Sequence, residues 1–324
     1  MKRKFLLSLV SVLTCASVLA SCTPTNSKTK FYGYWNYDTD IATEGTETLT
    51  YSVTPDSDKP FSSINGNYTV QYTSGVYTTV LKTETLEERT VYRYETDMSI
   101  DVTFEYGGTT VTQTDTTKSW VQFEKSAENF LRPIASHKEF VSHSPVNSSV
   151  TKIEDCYQKF EYSIDTTYAS DIKSGNSVIK TTQGETTDSF DIETKKYTFV
   201  DFEQLFFAVR GINPTGSASN TTLLSYNAFT GTVQEIRVSF ASSTADKFPF
   251  AKDGEETKNH EITYYPVTLS VKEKNSGPDK TLWVAKHENA KTNEYRNVVL
   301  QMTTPLAYGM GSLVYKLTSA TFTK

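Results

Sequence analysis

Apolar residues spaced two apart constrain this chain more than any other feature. Tyr92, Tyr94, Met98, Ile100, Val102, Phe104 and Tyr106 fall on one side of an extended backbone, and Arg93, Glu95, Asp97, Ser99, Asp101 and Glu105 on the other. Side chains alternate across a strand, so this spacing marks a half-buried strand. Shorter versions recur at Tyr68-Val70-Tyr72, Phe160-Tyr162-Ile164, Ile236-Val238-Phe240, Tyr265-Val267-Leu269-Val271 and Leu313-Tyr315-Leu317. Their intervening positions are mostly polar, as in antiparallel sheets wetted on one face. Asn65-Gly66, Gly107-Gly108, Gly175-Asn176 and Asp253-Gly254 supply turn dipeptides where strands should reverse. The expected fold is all-β and mainly antiparallel, a meander of hairpins.

The long strand also limits the shape. About fifteen residues reach roughly 50 Å if straight, far beyond the usual five or six. A strand of that length bends, so the expectation is a large curved sheet, barrel-like or half-barrel, with one or two short helices on its concave face. The clearest helical segment is 202–210. Asp201 is placed to cap it, Gln204 stands at the capping-box position, Gly211 follows the end, and Phe202, Leu205, Phe206 and Val209 form one apolar stripe. A second helical candidate, Ala127 to Lys138, carries Phe130, Leu131 and Ile134 but is interrupted by Pro133. Residues 142–150 (SHSPVNSSV) read as a hinge that sub-divides the main domain.

The first thirty residues have a different character. Lys2, Arg3 and Lys4 precede an apolar run from Phe5 to Ala20, the build of an export signal. At about 16 residues the run is shorter than the roughly 20 that a spanning helix needs. Thr23 to Lys30 are small and polar, a flexible tether. The expected organisation is a signal segment over 1–21, Cys22 and tether over 22–30, and a β-rich extracytoplasmic domain over 31–324. Removing 1–21 takes three cations and no carboxylate from the formal charge of −6, leaving −9. That excess argues against nucleic acid or anionic lipid head groups as partners, since both reward clustered Lys and Arg. Cys15 leaves with the signal, so beyond Cys22 only Cys156 remains and no intramolecular disulfide can form.

No catalytic constellation stands out. His137, His143, His260 and His287 lack compact ligand spacing, and although the first two flank Glu139, the Lys138 between them points to a surface loop rather than a metal site. Ser-x-x-Lys recurs along the chain, as at Ser27, Ser149 and Ser170, without its companion motifs. Asp38 and Asp40 begin a calcium loop that lacks its glycine. Cys156 lies between Asp155 and Tyr157, and its acidic neighbour points to a structural thiol. Trp35, Trp120 and Trp283 suit packing better than sugar stacking. No cofactor and no metal is expected.

Leu19-Ala20-Ser21-Cys22 resembles the lipobox of bacterial lipoprotein precursors. The resemblance implies diacylglyceryl transfer to the Cys22 sulfur, cleavage before Cys22 and anchoring outside the cytoplasmic membrane, where two acyl chains hold as one does not. A second resemblance covers about 198–320. Asp201 through Ala208-Val209-Arg210, Leu282-Trp283-Val284-Ala285-Lys286 and Gly311-Ser312-Leu313 with Leu317 are similar to a β-rich envelope family related to lipoprotein-carrier half-barrels. That implies a curved sheet with helices plugging an apolar groove.

The functional expectation is a non-enzymatic, membrane-anchored envelope lipoprotein that binds or shields an acyl chain or lipidated partner. Tyr94, Met98, Ile100, Val102 and Phe104 would line its groove, and Phe202, Leu205, Phe206 and Val209 would cover it. The alternatives are a surface interaction module of the same fold with a filled core, its protein partner open, and a glycan-active enzyme.

Overall fold

The computed structural model describes residues 28–32, 46–56, 61–62, 67–125, 131–214, 219–272, 279–287, 294–306 and 310–323. The signal segment, Cys22, Asp38, Asp40, Trp35 and the Asn65-Gly66 turn lie outside these residues, as do 127–130 of the second helical candidate.

The fold is all-β, with seventeen strands among the described residues. The first nine are β1 (Glu47–Pro55), β2 (Phe61–Ser62), β3 (Thr69–Leu86), β4 (Arg89–Tyr106), β5 (Thr109–Lys125), β6 (Leu131–Pro145), β7 (Tyr157–Tyr168), β8 (Ser174–Thr181) and β9 (Gly184–Asp191). After β10 (Thr198–Phe199) comes the helix α1 (Leu205–Val209), then β11 (Ser219–Asn227), β12 (Thr232–Phe240), β13 (Thr244–Lys252), β14 (Lys258–Val271), β15 (Lys280–Ala285), β16 (Val299–Pro305) and β17 (Ser312–Phe322).

Strands β13 to β17 close a five-stranded barrel. Neighbours pair antiparallel in order, and the ring shuts where Ala251 and Lys252 of β13 run parallel to Ser319 and Ala320 of β17. Strand β14 makes closure possible by changing partners along one edge, from β13 up to Tyr264 to β12 from Val267. Strand β1 pairs with β17 on one edge and β3 on the other, carrying the sheet into a wing of consecutive hairpins from β3 to β9.

The long strand of the sequence pattern is β4, 18 residues between the equally long β3 and the 17-residue β5. Irregular registers at Tyr72/Gly75 and Gln122/Phe123 bend these neighbours. Gly75 is required at the first of these, because a Cβ there would meet the Ser99 carbonyl at 2.5 Å. Gly107-Gly108, with φ of 58° and 80°, forms the expected β4–β5 turn. Gly175-Asn176 does not turn. It lies within β8, where the Phe190 ring sits 2.4 Å from the position a Gly175 Cβ would take, and Ile172 at φ 53° marks the reversal before it.

Two helical expectations are corrected. Residues 131–138 belong to β6, because Pro133 and Ala135 take their places in its ladder with β5. The 202–210 helix is shorter, α1 spanning Leu205–Val209 after a turn. Asp201 does cap that turn, its Oδ1 accepting from the Glu203 N–H at 2.7 Å. Gln204 builds no capping box, since its amide is buried without a protein partner. The buried side is Leu205, Phe207, Ala208 and Val209, whereas Phe202 and Phe206 are half-buried. A one-sided stripe misassigns the face because Phe207 and Ala208, outside the stripe, are buried too. Phe207 meets Tyr94 of β4 at 5.1 Å and Phe123 of β5 at 5.3 Å between ring centroids.

Arg210, at the end of α1, is the largest fully buried side chain. It donates to both carboxylate oxygens of Glu47 at 2.6 and 2.8 Å, and to the carbonyls of Asn297 and Arg296 at 3.1 and 2.8 Å. Helix, β1 and the segment before β16 are tied at this point. The fold also begins earlier than the tether reading allows. Thr29 is buried, its hydroxyl 2.5 Å from that of Thr221 and its carbonyl accepting from Thr198, and Phe31 is buried in a bridge to Ile212.

Candidate functional site

The inward face of the wing is spent on packing. Tyr94, Ile100, Leu205 and Val209 are buried in one apolar cluster with Phe207, and Met98 packs against it while accepting from the Tyr315 hydroxyl at 3.3 Å. Val102 and Phe104 turn to a separate cluster with Tyr68, Val70, Val150 and Cys156. The nine side chains expected to form one groove and its lid are therefore divided. Seven pack into these two clusters. Phe206 rests on the first with Lys280 5.4 Å from its ring, and Phe202 borders a small pocket described below.

The outward face of the same wing carries a groove of about 760 Å³ over β3 to β6. Strand register assembles it row by row. Val80, Glu95, Trp120, His137 and Asp165 lie side by side across β3 to β7, and Thr78, Asp97, Lys118, Glu139 and Ser163 form the next row. The Arg93 guanidinium lies 4.3 Å from the Trp120 ring, and His137 stacks beside that ring at 6.0 Å.

Glu95, the least exposed carboxylate of this groove, is committed. Glu95 sits 2.6 Å from Arg93 and 2.9 Å from Lys82. Burial pushes its pKa up, but hydrogen bonds from Lys82 and Arg93 outweigh that and hold it below the ordinary glutamate range, so Glu95 is an anion and not a proton donor. His137 has its Nδ1 2.6 Å from Asp165 and its Nε2 3.3 Å from Glu139. It stands on β6, not on the expected loop. Asp97 and Glu139 are the best exposed acids of the groove, at 58% and 62%, with Lys118 3.8 Å from Asp97.

His143 is buried on the same strand. Its Nδ1 is 3.0 Å from Asp115, which also accepts from the His143 N–H at 2.7 Å and from the Ser142 hydroxyl at 3.2 Å. The buried Cys156 has its thiol pKa raised, by burial first and then by Asp155 and Glu154, the opposite of activation. Among the described residues no group of three or more His, Cys, Asp or Glu side chains is placed to hold a metal ion.

A smaller pocket of about 150 Å³ lies between β6, β7, the turn before α1 and the β11–β12 turn, bordered by Tyr168, Asp201, Phe202 and Phe229. Asp201 is buried there and accepts from the Tyr168 hydroxyl. Burial raises its pKa, with hydrogen bonds from Ser136 and Tyr168 opposing. Lys138 and Glu203 pair at 2.9 Å beside it. Sequence reasoning named Phe202 here and missed the rest, because the polar members come from strands distant in the chain.

No family model matches this chain, and no curated protein does. Among solved structures it is similar to a β-barrel-like protein of a domain of unknown function from Brucella abortus, at a TM-score of 0.40 and 14% identity, over 86% of this chain and 97% of that one.

Proposed function

We propose that this protein is a non-enzymatic interaction module, held outside the bacterial cytoplasmic membrane by lipid on Cys22, that engages an extended polypeptide partner along the outer groove of β3 to β6. The observation that carries the reading is the contrast between the two faces of one sheet. Inward, Tyr94, Ile100, Leu205 and Val209 are consumed by packing around Phe207. Outward, about 760 Å³ stays open above a mixed lining of Val76, Val80, Trp120 and charged side chains. Such a lining, with Asp97 and Glu139 exposed, suits a polar chain bearing cationic groups better than an acyl chain, which needs an apolar cavity. Lipidation of Cys22 follows from the Leu19-Ala20-Ser21-Cys22 resemblance.

A photo-cross-linking residue placed at Thr78 or Lys118 of the full chain in its envelope should give a discrete adduct that an Asp97→Lys/Glu139→Lys pair removes. The same residue at Lys247, on β13, should give none. Uptake of a fluorescent fatty acid by the purified chain, with no adduct from the groove, would return the function to the interior.

A further inference from the structure

Lys280 is the first residue of β15, opposite Leu269 of β14. Its side chain is half-buried, and its Nζ lies 5.2 Å from the Phe202 ring and 5.4 Å from the Phe206 ring. Among the described residues no carboxylate stands within ion-pair distance of this amine. Glu203, the acid that acts on it from the turn before α1, is taken by Lys138 of β6 at 2.9 Å, and the Lys138 ammonium lies 5.9 Å from the same Phe202 ring.

A lysine on a folded surface ordinarily carries its charge out into water. Around Lys280 two phenyl rings stand where water would, and a second ammonium is near. Ring faces attract an ammonium, but burial is the largest influence on this one. It pushes the pKa below the ordinary lysine range, Lys138 adds to the fall, and Glu203 opposes it. The direction matters because only the neutral amine is a nucleophile. A lysine desolvated against apolar groups, or set beside another cation, is the arrangement that activates an amine toward carbonyl compounds, and Lys280 has both features. Phe202, Lys138 and Glu203 also border the pocket of about 150 Å³, so a carbonyl compound lodged against them must be small.

We propose that Lys280 is a covalent capture site for small aldehydes, its Nζ forming an imine beside Phe202 and Phe206. The neutral amine adds its lone pair to the carbonyl carbon, the nitrogen gives up a proton and the former carbonyl oxygen gains one. The carbinolamine then loses water and leaves a C=N bond. One amine and one aldehyde give one imine and one water, so the step needs no oxidant, reductant or cofactor. An aldehyde is the fitting class because its carbonyl carbon bears a single substituent and is the least hindered. Capture is stoichiometric and independent of the outer groove.

The test treats the full chain with butyraldehyde and sodium cyanoborohydride, which reduces an imine and fixes it as a secondary amine, and places the adducts by peptide mass spectrometry. Lys247 and Lys316, both exposed, serve as internal references. Near pH 7 Lys280 should be alkylated severalfold faster than either, and between pH 6 and 9 its rate should rise earlier than theirs. Unfolding the chain in urea should erase the difference. Lys138 and Glu203 are the charged groups that act on Lys280. Lys138→Met removes the like charge and frees Glu203, so the rise should move to higher pH, and Phe202→Ala, which admits water, should move it the same way. Lys280→Arg should leave no fast-reacting amine. A native Lys280 that reacts no faster than the references, or a difference that persists in urea, overturns the proposal, and so does a pH profile unmoved in both variants. The comparison of native with unfolded chain needs no variant, so it decides even where a substitution prevents folding.

Discussion

Arg210→Met offers the sharpest test of how the two halves of this fold are joined. Arg210 and Glu47 are each 2% exposed, and the guanidinium makes four hydrogen bonds, two to Glu47 and two to the Arg296 and Asn297 carbonyls. Methionine fills most of the space but leaves a buried carboxylate uncompensated, which costs about 3–5 kcal/mol. At about 2.1 cal/mol/K per residue, a folded body of roughly 290 residues unfolds with an entropy near 0.6 kcal/mol/K, so that cost lowers Tm by roughly 5–8 °C. Glu47→Leu with Arg210→Met removes both charges and should recover most of the loss, because a buried pair is close to neutral against an apolar one of similar volume. Arg210→Lys should fall between, since an ammonium cannot reproduce the two-pronged contact. Thermal melts and urea titrations of these chains, with Glu47→Leu alone added, complete the cycle, and an unchanged urea m value would show that the denatured state is not what moved. A loss below about 1 kcal/mol for Arg210→Met, or a double variant no better than the single, would refute the reasoning.

Two further predictions follow from the interior. Phe207→Ala should cost about 3–5 kcal/mol as a fully packed core ring, while Phe206→Ala, half-buried and 5.4 Å from Lys280, should cost well under half of that; the reverse order in urea titrations would restore the sequence-derived face. Asp201 has a pKa raised by burial. An acid with a raised folded pKa binds more protons folded than unfolded, so its contribution is greatest at low pH and falls as pH rises from about 3.9 through the folded value. Asp201→Asn should flatten that fall, and an unchanged slope of stability against pH would show that another group causes it.

How much of the fold was legible follows from which forces act locally. The β4 alternation was legible because period two is written into neighbouring residues, and about fifteen residues of it, Tyr92 to Tyr106, exceed chance. The turn at Gly107-Gly108 was legible because two positive φ angles need glycine. The β3–β4 reversal was not, since it places Glu87 and Glu88 at φ 48° and 65° with no residue that favours them. There the long ladder of β3 on β4 overrides local preference. Residues 131–138 misled for a related reason. Phe130, Leu131 and Ile134 satisfy a helical stripe, but hydrogen bonding to β5 and β7 on both edges settles the segment as strand.

The site was less legible than the fold, because its members meet through register and not through sequence. Val80, Glu95, Trp120, His137 and Asp165 are separated by 15 to 28 positions, and they form one row only because each strand pairs with the next at a particular offset. A shift of one residue in any ladder would send that member of the row to the core face. The same alternation that predicted an apolar groove also required a polar face behind it. With the inward residues packed against α1, the open groove lies on the exposed side. The buried Arg210 completes this logic: a cation at the end of an apparent lid helix, tied to Glu47 and to two backbone carbonyls, makes that helix a fixed strut. Moving that strut would break a buried ion pair, and this is the physical ground on which the proposed function places the partner on the outer face.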